Sequence, residues 1–527
     1  MRHDPCTVAT TEIGEGLDCQ RCSSPNGAKF LPTTSKDTDM RRLTSLDAFF
    51  LATEDARTVA NVSALTILER KRANGRRLTR HAVKSLLAQR LHLLPPLRWQ
   101  LAEVPLGVAH PSWVDGEVDL DFHIREFTLP APGDDAALAE HVARLAAEPM
   151  NRSRPLWEAY LIHGLSGDRV ALLIKLHHSA VDGVSGGEIL RTLLDESPHG
   201  RELPPSPARQ IECVPNRLGM LVRGVADIPR QQLLAVNAVR PALTHIDKVA
   251  TIRSLPGVGQ IASLAGRFSP GSRPESEASL EMVAPRTAFN ARITANRSLA
   301  LVNLPLPEVL QLKEAHGATV NDIVVALCAG ALRTWLADKE ELPDERLLAM
   351  VPVSVRTAEE QGTFGNKVAT MVVALPTDEA DPGGRIRACR DSLLQAKQQQ
   401  KTQPPNLMQH ANDLVPPVLF GSAMRTVLRL ASSRRLNPAA NVIISNVPGP
   451  RTPLYWAGAR VLANYPVSTI VDGMALNITL FSYLDSLHVG LTVDSDLVPD
   501  VDLLARALVN ELDLHVSLLK PVKTKRR

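Results

Sequence analysis

Apolar residues recur along the chain in two rhythms. Some form short, nearly unbroken runs: Val170 to Leu176 is interrupted only by Lys175 and reads as a buried strand. Others are spaced at three and four: Leu78 to Leu94 predicts a helix stopped by Pro95-Pro96, and Ala136 to Ala147 predicts another. Leu46 to Leu51 is a first buried segment, and Val62 to Leu68 and Leu156 to His163 are strands. A tight turn at Gly167-Asp168 joins the 156–163 strand to the 170–176 run as a hairpin. In the second half, Pro305 to Ala315 and Val320 to Leu336 are helices. The latter is apolar almost throughout, hence largely buried, and carries a capping signature at Thr319 and Asp322. Leu348 to Val355, Val368 to Leu375, Asn441 to Ser445 and His488 to Val493 read as strands. The pattern predicts an α/β protein of two similar halves, residues 41–200 and 290–519.

The intervening 201–289 reads as a Pro- and Ser-rich linker followed by a helical connector. Its arginines (Arg217, Arg223, Arg230, Arg240 and Arg253) sit between leucines and valines at helical spacing. Two readings stand: an ordinary connector with water-facing arginines, or a basic amphipathic element lying on a membrane surface. Residues 520–527 form a basic tail. Residues 1–40 are polar and irregular, a disordered leader, and Met40 is a second candidate start. Cys19 and Cys22 form a CxxC near Cys6 and His3, but a zinc site wants four well-placed ligands, and no metal is expected.

At 527 residues the chain exceeds one ordinary core, which supports the two-half division. Charge narrows the partners: 59 Lys and Arg against 56 Asp and Glu give a net +3, too mild to draw nucleic acid. Aromatics at 4% leave few platforms for stacking bases. No uninterrupted apolar run approaches the roughly 18 residues of a membrane span. The first thirty residues lack the apolar core of a secretory signal. Six scattered cysteines suit a reducing, cytoplasmic setting.

The chemistry-bearing stretch follows the 170–176 strand. His177 and His178, then Asp182 and Gly183, make the pattern HHxxxDG, and Ser185 with Glu188 predicts a capped helix starting near Ser185. Strand, short histidine loop and helix present an imidazole at the rim of a rigid core. Successive residues of a strand point oppositely, so only one histidine faces a given cleft and the other must be held by packing or a hydrogen bond. Asp182 orients an imidazole or forms an ion pair that stiffens the loop, with Arg356 as a candidate partner; Gly183 serves the turn. Asn321 and Asp322 begin a helix, where they either cap it or position substrate or an oxyanion. Trp157 packs the strand. Asn446 to Pro450 must turn sharply, either at the border of a cleft or simply to end a strand. The basic cluster Arg70-Lys71-Arg72 with Arg76-Arg77 is a solvated loop or a site for anionic headgroups or phosphates.

HHxxxDG resembles the signature of the superfamily that includes chloramphenicol acetyltransferase and peptide-synthetase condensation domains. Further motifs narrow the likeness. Arg42-Leu43-Thr44-Ser45-Leu46-Asp47-Ala48-Phe49-Phe50-Leu51, Pro155-Leu156-Trp157, Asn321-Asp322 and Ser445-Asn446-Val447-Pro448-Gly449-Pro450 resemble, in order, motifs of the bacterial wax ester synthase/diacylglycerol acyltransferase family. Ala284-Pro285 through Asn290 and Ser482-Tyr483 join them, so the likeness spans about Arg41 to Leu519. It implies two chloramphenicol-acetyltransferase-like subdomains with a tunnel at their interface. It also implies His178 as general base with His177 supporting, a substrate-binding role for Asn321, Asp322, Trp157, Ser445 and Asn446, and acyl-CoA as substrate rather than cofactor. Diacylglycerol or a long-chain alcohol would be the acceptor, at a membrane or lipid-droplet surface, with no cofactor. Two rivals from other classes are a condensation-type acyltransferase using a carrier-protein thioester and a non-catalytic lipid-droplet-binding protein. A third, a metal hydrolase using His177, His178 and Asp182, is disfavoured because adjacent strand histidines seldom reach one ion.

Overall fold

The computed structural model describes residues 40–181, 183–206, 218–222, 224–226, 283–354, 368–402, 420–422, 424–426, 429, 432–433 and 437–519. The first lobe begins with β1 (Arg41–Arg42), α1 (Ser45–Thr53), β2 (Asn61–Arg72), α2 (Arg80–Arg90), β3 (Trp99–Ala102) and β4 (Ser112–Asp115). It continues with α3 (Leu120–His123), β5 (Ile124–Thr128), α4 (Asp135–Ala147), β6 (Trp157–His163), β7 (Arg169–His177) and α5 (Gly183–Leu193). The second lobe comprises β8 (Arg297–Pro305), α6 (Leu306–His316), α7 (Val320–Ala337), β9 (Leu347–Ser354), β10 (Val368–Leu375) and α8 (Pro382–Thr402). β11 (Val442–Val447), β12 (Tyr455–Trp456), β13 (Ala459–Val467), β14 (Leu476–Tyr483), β15 (Ser486–Asp494) and α9 (Val501–Leu519) complete the elements.

β7 is apolar from Val170 to Leu176 except at Lys175, because both its faces are covered. Val170, Leu172, Ile174 and Leu176 join a core with Val83, Leu86 and Leu87 of α2 and Ile189 and Leu193 of α5. Ala171 and Leu173 face the other way, onto Leu138 and Val142 of α4. The period-two alternation of a strand thus runs beneath a nearly unbroken apolar sequence. Lys175 continues the α4 side, fully buried; its Nζ donates to Leu145 O (3.0 Å) and Glu148 O (2.9 Å) and pairs with Glu158 Oε2 (3.0 Å).

The first six-stranded sheet runs β12-β13-β2-β7-β6-β5, the second β10-β9-β11-β14-β15-β8. In the first, the second lobe contributes two strands. β13 pairs antiparallel with β2, Val467 opposite Ser63 and Tyr465 opposite Leu65. The 290–519 half therefore lends two strands to the sheet of the 41–200 half, a crossover that the hydrophobic pattern does not disclose. Tyr483, buried at the end of β14, pins it: its hydroxyl accepts Leu454 N–H (2.8 Å) and donates to Val461 O (3.2 Å). Where the two sheets meet, Gly490 of β15 lies so close to Pro466 of β13 that a Cβ would sit 1.8 Å from the Pro466 carbonyl oxygen. Only glycine fits there.

α7 is apolar and 18 residues long, with mean hydropathy 1.4, enough to cross a bilayer by length and composition, but 72% of it is buried in the second lobe. Val324, Val325, Leu327, Leu332 and Leu336 pack there against Leu504, Leu508 and Leu512 of α9, making it a core helix.

Candidate active site

β7 delivers the two histidines. His177, its last residue, is 1% exposed and lies on the α4 side of the strand. Its Nδ1 accepts the Ser179 backbone N–H (3.1 Å) and lies 2.7 Å from Ser179 Oγ. An accepting Nδ1 leaves the ring proton of the neutral imidazole on Nε2, which faces Glu54 Oε1 at 3.4 Å. That separation is a long polar contact rather than a tight hydrogen bond. Glu54 ends α1, and its Oε2 takes Arg152 Nη2 at 2.8 Å. Burial alone would raise the Glu54 carboxyl, but His177 and Arg152 outweigh it and hold the pKa down to about 2.

His178 is the first residue of the following turn. Its backbone N–H donates to Ala60 O (2.7 Å), and its half-buried ring lies flat against Phe50 of α1, centroids 4.0 Å apart and planes 20° from parallel. One histidine is thus locked into the fold, while its neighbour is half-buried with its ring against Phe50. α5 starts at Gly183, two residues earlier than the predicted Ser185, so Ser185 and Glu188 lie within the helix instead of flanking it. Asp182 and Arg356, the expected pair, lie outside the described residues, as do the leader, the basic tail and most of the connector.

The remaining candidate residues are dispersed. Trp157 is a core residue, 1% exposed. Its Nε1 donates to Leu97 O (2.8 Å), and its ring stacks on His123 at 4.4 Å, in the same apolar cluster as Leu176, Ala180 and Val181 beside the histidine turn. Asp322 takes the capping alternative: Oδ2 accepts Thr319 N–H (2.8 Å), and Thr319 Oγ1 accepts the Asp322 N–H (3.2 Å) in return. Asn321 is half-buried on the same first turn. Ser445 and Asn446, also half-buried, pair with Thr479 and Leu480 in the second sheet. The loop beyond them turns against β14, where Gly449 N–H donates to Ser482 Oγ (2.8 Å). A Cβ at Gly449 would sit 2.1 Å from Ser482 O, so glycine is required by close approach. Of the basic cluster, Arg70 pairs with Asp168 at 2.7 Å, and Arg72 Nε donates to Ala457 O (2.5 Å), tying β2 to the crossover. Among the described residues, no three His, Cys, Asp or Glu side chains form a group able to hold a metal ion.

Four residues that organise this region escaped the sequence reading as individuals: Phe50, Glu54, Asn290 and Asn441. Glu54 left a signal, since an acid at a helix C-terminus opposes the helix dipole and calls for a tertiary partner. Asn290 is buried; its Nδ2 donates to Gly473 O (2.8 Å), and its Oδ1 accepts from Asn441 Nδ2 (2.8 Å), fixing the strand that leads to Ser445.

Two lobes sharing a strand pair, with a paired-histidine turn at the end of a central strand, define a two-lobed acyltransferase fold. The model of the wax ester synthase/diacylglycerol acyltransferase catalytic domain matches residues 43–324, and that of the corresponding C-terminal domain matches 364–515. A putative diacylglycerol O-acyltransferase of Mycobacterium tuberculosis strain H37Rv is 35% identical over 465 residues, covering 87% of this chain and 96% of the relative. A second from the same strain is 34% identical, covering 88% and 92%. Among solved structures, the wax ester synthase/diacylglycerol acyltransferase of Marinobacter aquaeolei VT8 superposes with a TM-score of 0.63 at 29% identity, covering 91% of this chain and all of that one. The starter condensation domain of rhizomide synthetase, solved in complex with C8-CoA, shares the fold at a TM-score of 0.51 and 14% identity, covering 91% and 95%. The chain belongs to the wax ester synthase/diacylglycerol acyltransferase family, and it is an acyltransferase.

Proposed function

We propose that this enzyme transfers a long acyl chain from CoA to the hydroxyl of diacylglycerol, a fatty alcohol, or both, forming triacylglycerol or wax ester, with His178 as general base. The observation that carries the reading is the division of labour at the end of β7, with His177 buried and held and His178 half-buried with its ring against Phe50. A hydroxyl is a weak nucleophile and a thioester a reactive acyl donor. A neutral imidazole takes the hydroxyl proton as the oxygen attacks the thioester carbonyl; the tetrahedral intermediate then expels the CoA thiolate, which receives the proton and leaves as the thiol. Attack is direct, so no covalent acyl-enzyme is needed, and the balanced reaction needs no redox cofactor. His177 supports by fixing the turn through Ser179 and Glu54, and Gly183 starts the helix that follows. In the second lobe, Asn321 and the Ser445-Asn446 segment stand on elements suited to contact substrate. Because the products are insoluble, the enzyme works in the cytoplasm at the surface of a membrane or lipid droplet.

The test is His178→Ala, assayed with palmitoyl-CoA and diacylglycerol or hexadecanol by chromogenic thiol release. Removing such a base costs about 10²–10⁴-fold in kcat. A folded variant with unchanged turnover would take His178 out of this role.

A further inference from the structure

Helix α1 meets the histidine turn at two points. In its second turn, Phe50 lies against the His178 ring at 4.0 Å and 20°. At its C-cap, Glu54 meets His177 Nε2 (3.4 Å) and Arg152 Nη2 (2.8 Å), and Arg152 also donates to Leu51 O (2.8 Å). The helix start is fixed by a reciprocal capping box between Thr44 and Asp47. Leu51 anchors its body in the first-lobe core, and from the second lobe Arg425 Nη1 donates to Ala52 O (2.7 Å). α1 is therefore braced by both lobes and by the partner histidine, with one aromatic face set parallel to the imidazole.

General apolar packing does not require a parallel face. A ring stacked on an imidazole restricts its rotation, and its negative π face attracts the imidazolium more than the neutral ring. His178 becomes positive as it takes the alcohol proton, so such a contact is stronger in the transition state than in the resting enzyme and contributes to rate rather than to binding. We infer that Phe50 is a positioning residue for the acyl transfer, holding the His178 ring and stabilising it as it gains the proton, with Glu54 anchoring the helix that carries Phe50. The inference rests on the reading of His178 as the base. Among the described residues, the charged and titratable groups near His178 include His177 beside it and, behind that ring, Glu54 and Arg152; Asp47 on α1 is engaged in the capping box, and Asp182 lies outside the described residues.

The experiment uses the full-length enzyme and its His178→Ala, Phe50→Leu, Phe50→Trp and Glu54→Gln variants. Thiol release from palmitoyl-CoA with diacylglycerol is followed from pH 5 to 9, with circular dichroism confirming folding. Phe50→Leu should lower kcat about tenfold through lost orientation, with KM for palmitoyl-CoA unchanged. It should also move the acid limb of kcat/KM down by about half a pH unit. Glu54→Gln, which keeps shape and removes charge, should lower kcat with KM unchanged. Phe50→Trp, with a larger π face, should keep most of the rate and move the acid limb up by a few tenths of a unit. Should Phe50→Leu fail to fold, the tryptophan variant decides: an unmoved or lowered limb overturns the inference. Wild-type kcat and acid limb in folded Phe50→Leu overturn it too, provided that His178→Ala is inactive. Retained turnover in His178→Ala instead overturns the reading of the base itself.

Discussion

Replacing Gly490 with alanine probes the seam that joins the lobes. Gly490 lies mid-strand in β15, opposite Thr479 on β14 and Leu301 on β8, so its backbone is held on both sides. A Cβ added there would sit 1.8 Å from Pro466 O and 3.1 Å from the Pro466 carbonyl carbon. Carbon and carbonyl oxygen do not approach comfortably below about 3.3 Å, so the strands must part by about 1.5 Å. Both clashing groups belong to backbone within a sheet, and no rotamer change can relieve them. Overpacking costs about 1–3 kcal/mol, occasionally more when backbone must shift; with no relief available, about 3 kcal/mol is expected. At roughly 2–4 °C per kcal/mol for a folding unit of 150–250 residues, Tm should fall by about 6–12 °C. The same parting moves β14 and the Gly449 loop away from β2 and β7, so kcat/KM should fall by more than about tenfold, as misplacement by an ångström does elsewhere. Scanning calorimetry and thiol-release kinetics on the purified variant measure both effects. A Tm within about 2 °C of wild type, with unchanged kcat/KM, would refute the claim that the seam is sterically closed.

His488 is buried with neither ring nitrogen hydrogen-bonded among the described residues, and burial pushes its pKa down to about 4. Below pH 6.5 the unfolded chain therefore takes up a proton that the folded one refuses until about pH 4, so stability is full above 6.5 and erodes between 6.5 and 4. Urea unfolding at pH 7.5 and 5.0 should show a loss of roughly 2 kcal/mol from this residue, largely absent in His488→Phe; equal losses in both proteins would show that His488 is not the source. Tyr483→Phe should cost about 1 kcal/mol, because the half-buried Leu454 N–H loses its acceptor. A urea midpoint matching wild type at equal m-value would show the crossover to be held without it.

The parts of the fold legible in the sequence were those that make their core contacts through regular periods. The 170–176 run, the 136–147 helix and the 320–336 helix are found at β7, α4 and α7 because each buries a face, or both faces, in one lobe. β13 was illegible for a physical reason. Its sequence ARVLANYPV carries Arg460 and Asn464 and ends near Pro466, so it lacks an apolar run, and its partner strand is remote: Thr66 Oγ1 donates to Asn464 Oδ1 (3.1 Å) across 398 positions. At the site, the motif marked the two histidines, and strand alternation required that one be held. That Ser179 and Glu54 hold His177, and Phe50 covers His178, depends on the packing of α1 against the turn, which no local pattern encodes. Trp157 shows the converse: a conspicuous motif residue whose surroundings, His123 and Leu97, make it core.

The borrowed hairpin has a temporal cost during synthesis. β2, twelve residues long, would stand at the edge of its sheet with half its backbone groups unpaired until the ribosome has made residues 459–467. At about 5–20 residues per second, the 398 positions between Thr66 and Asn464 correspond to a wait of about 20–80 s. A nascent first lobe must pass that interval with an adhesive flank, the feature that seeds aggregation. Heterologous production of this enzyme is therefore governed by how well the host shields one unfinished strand, and severing the chain between lobes leaves each fragment without a neighbour it was built around.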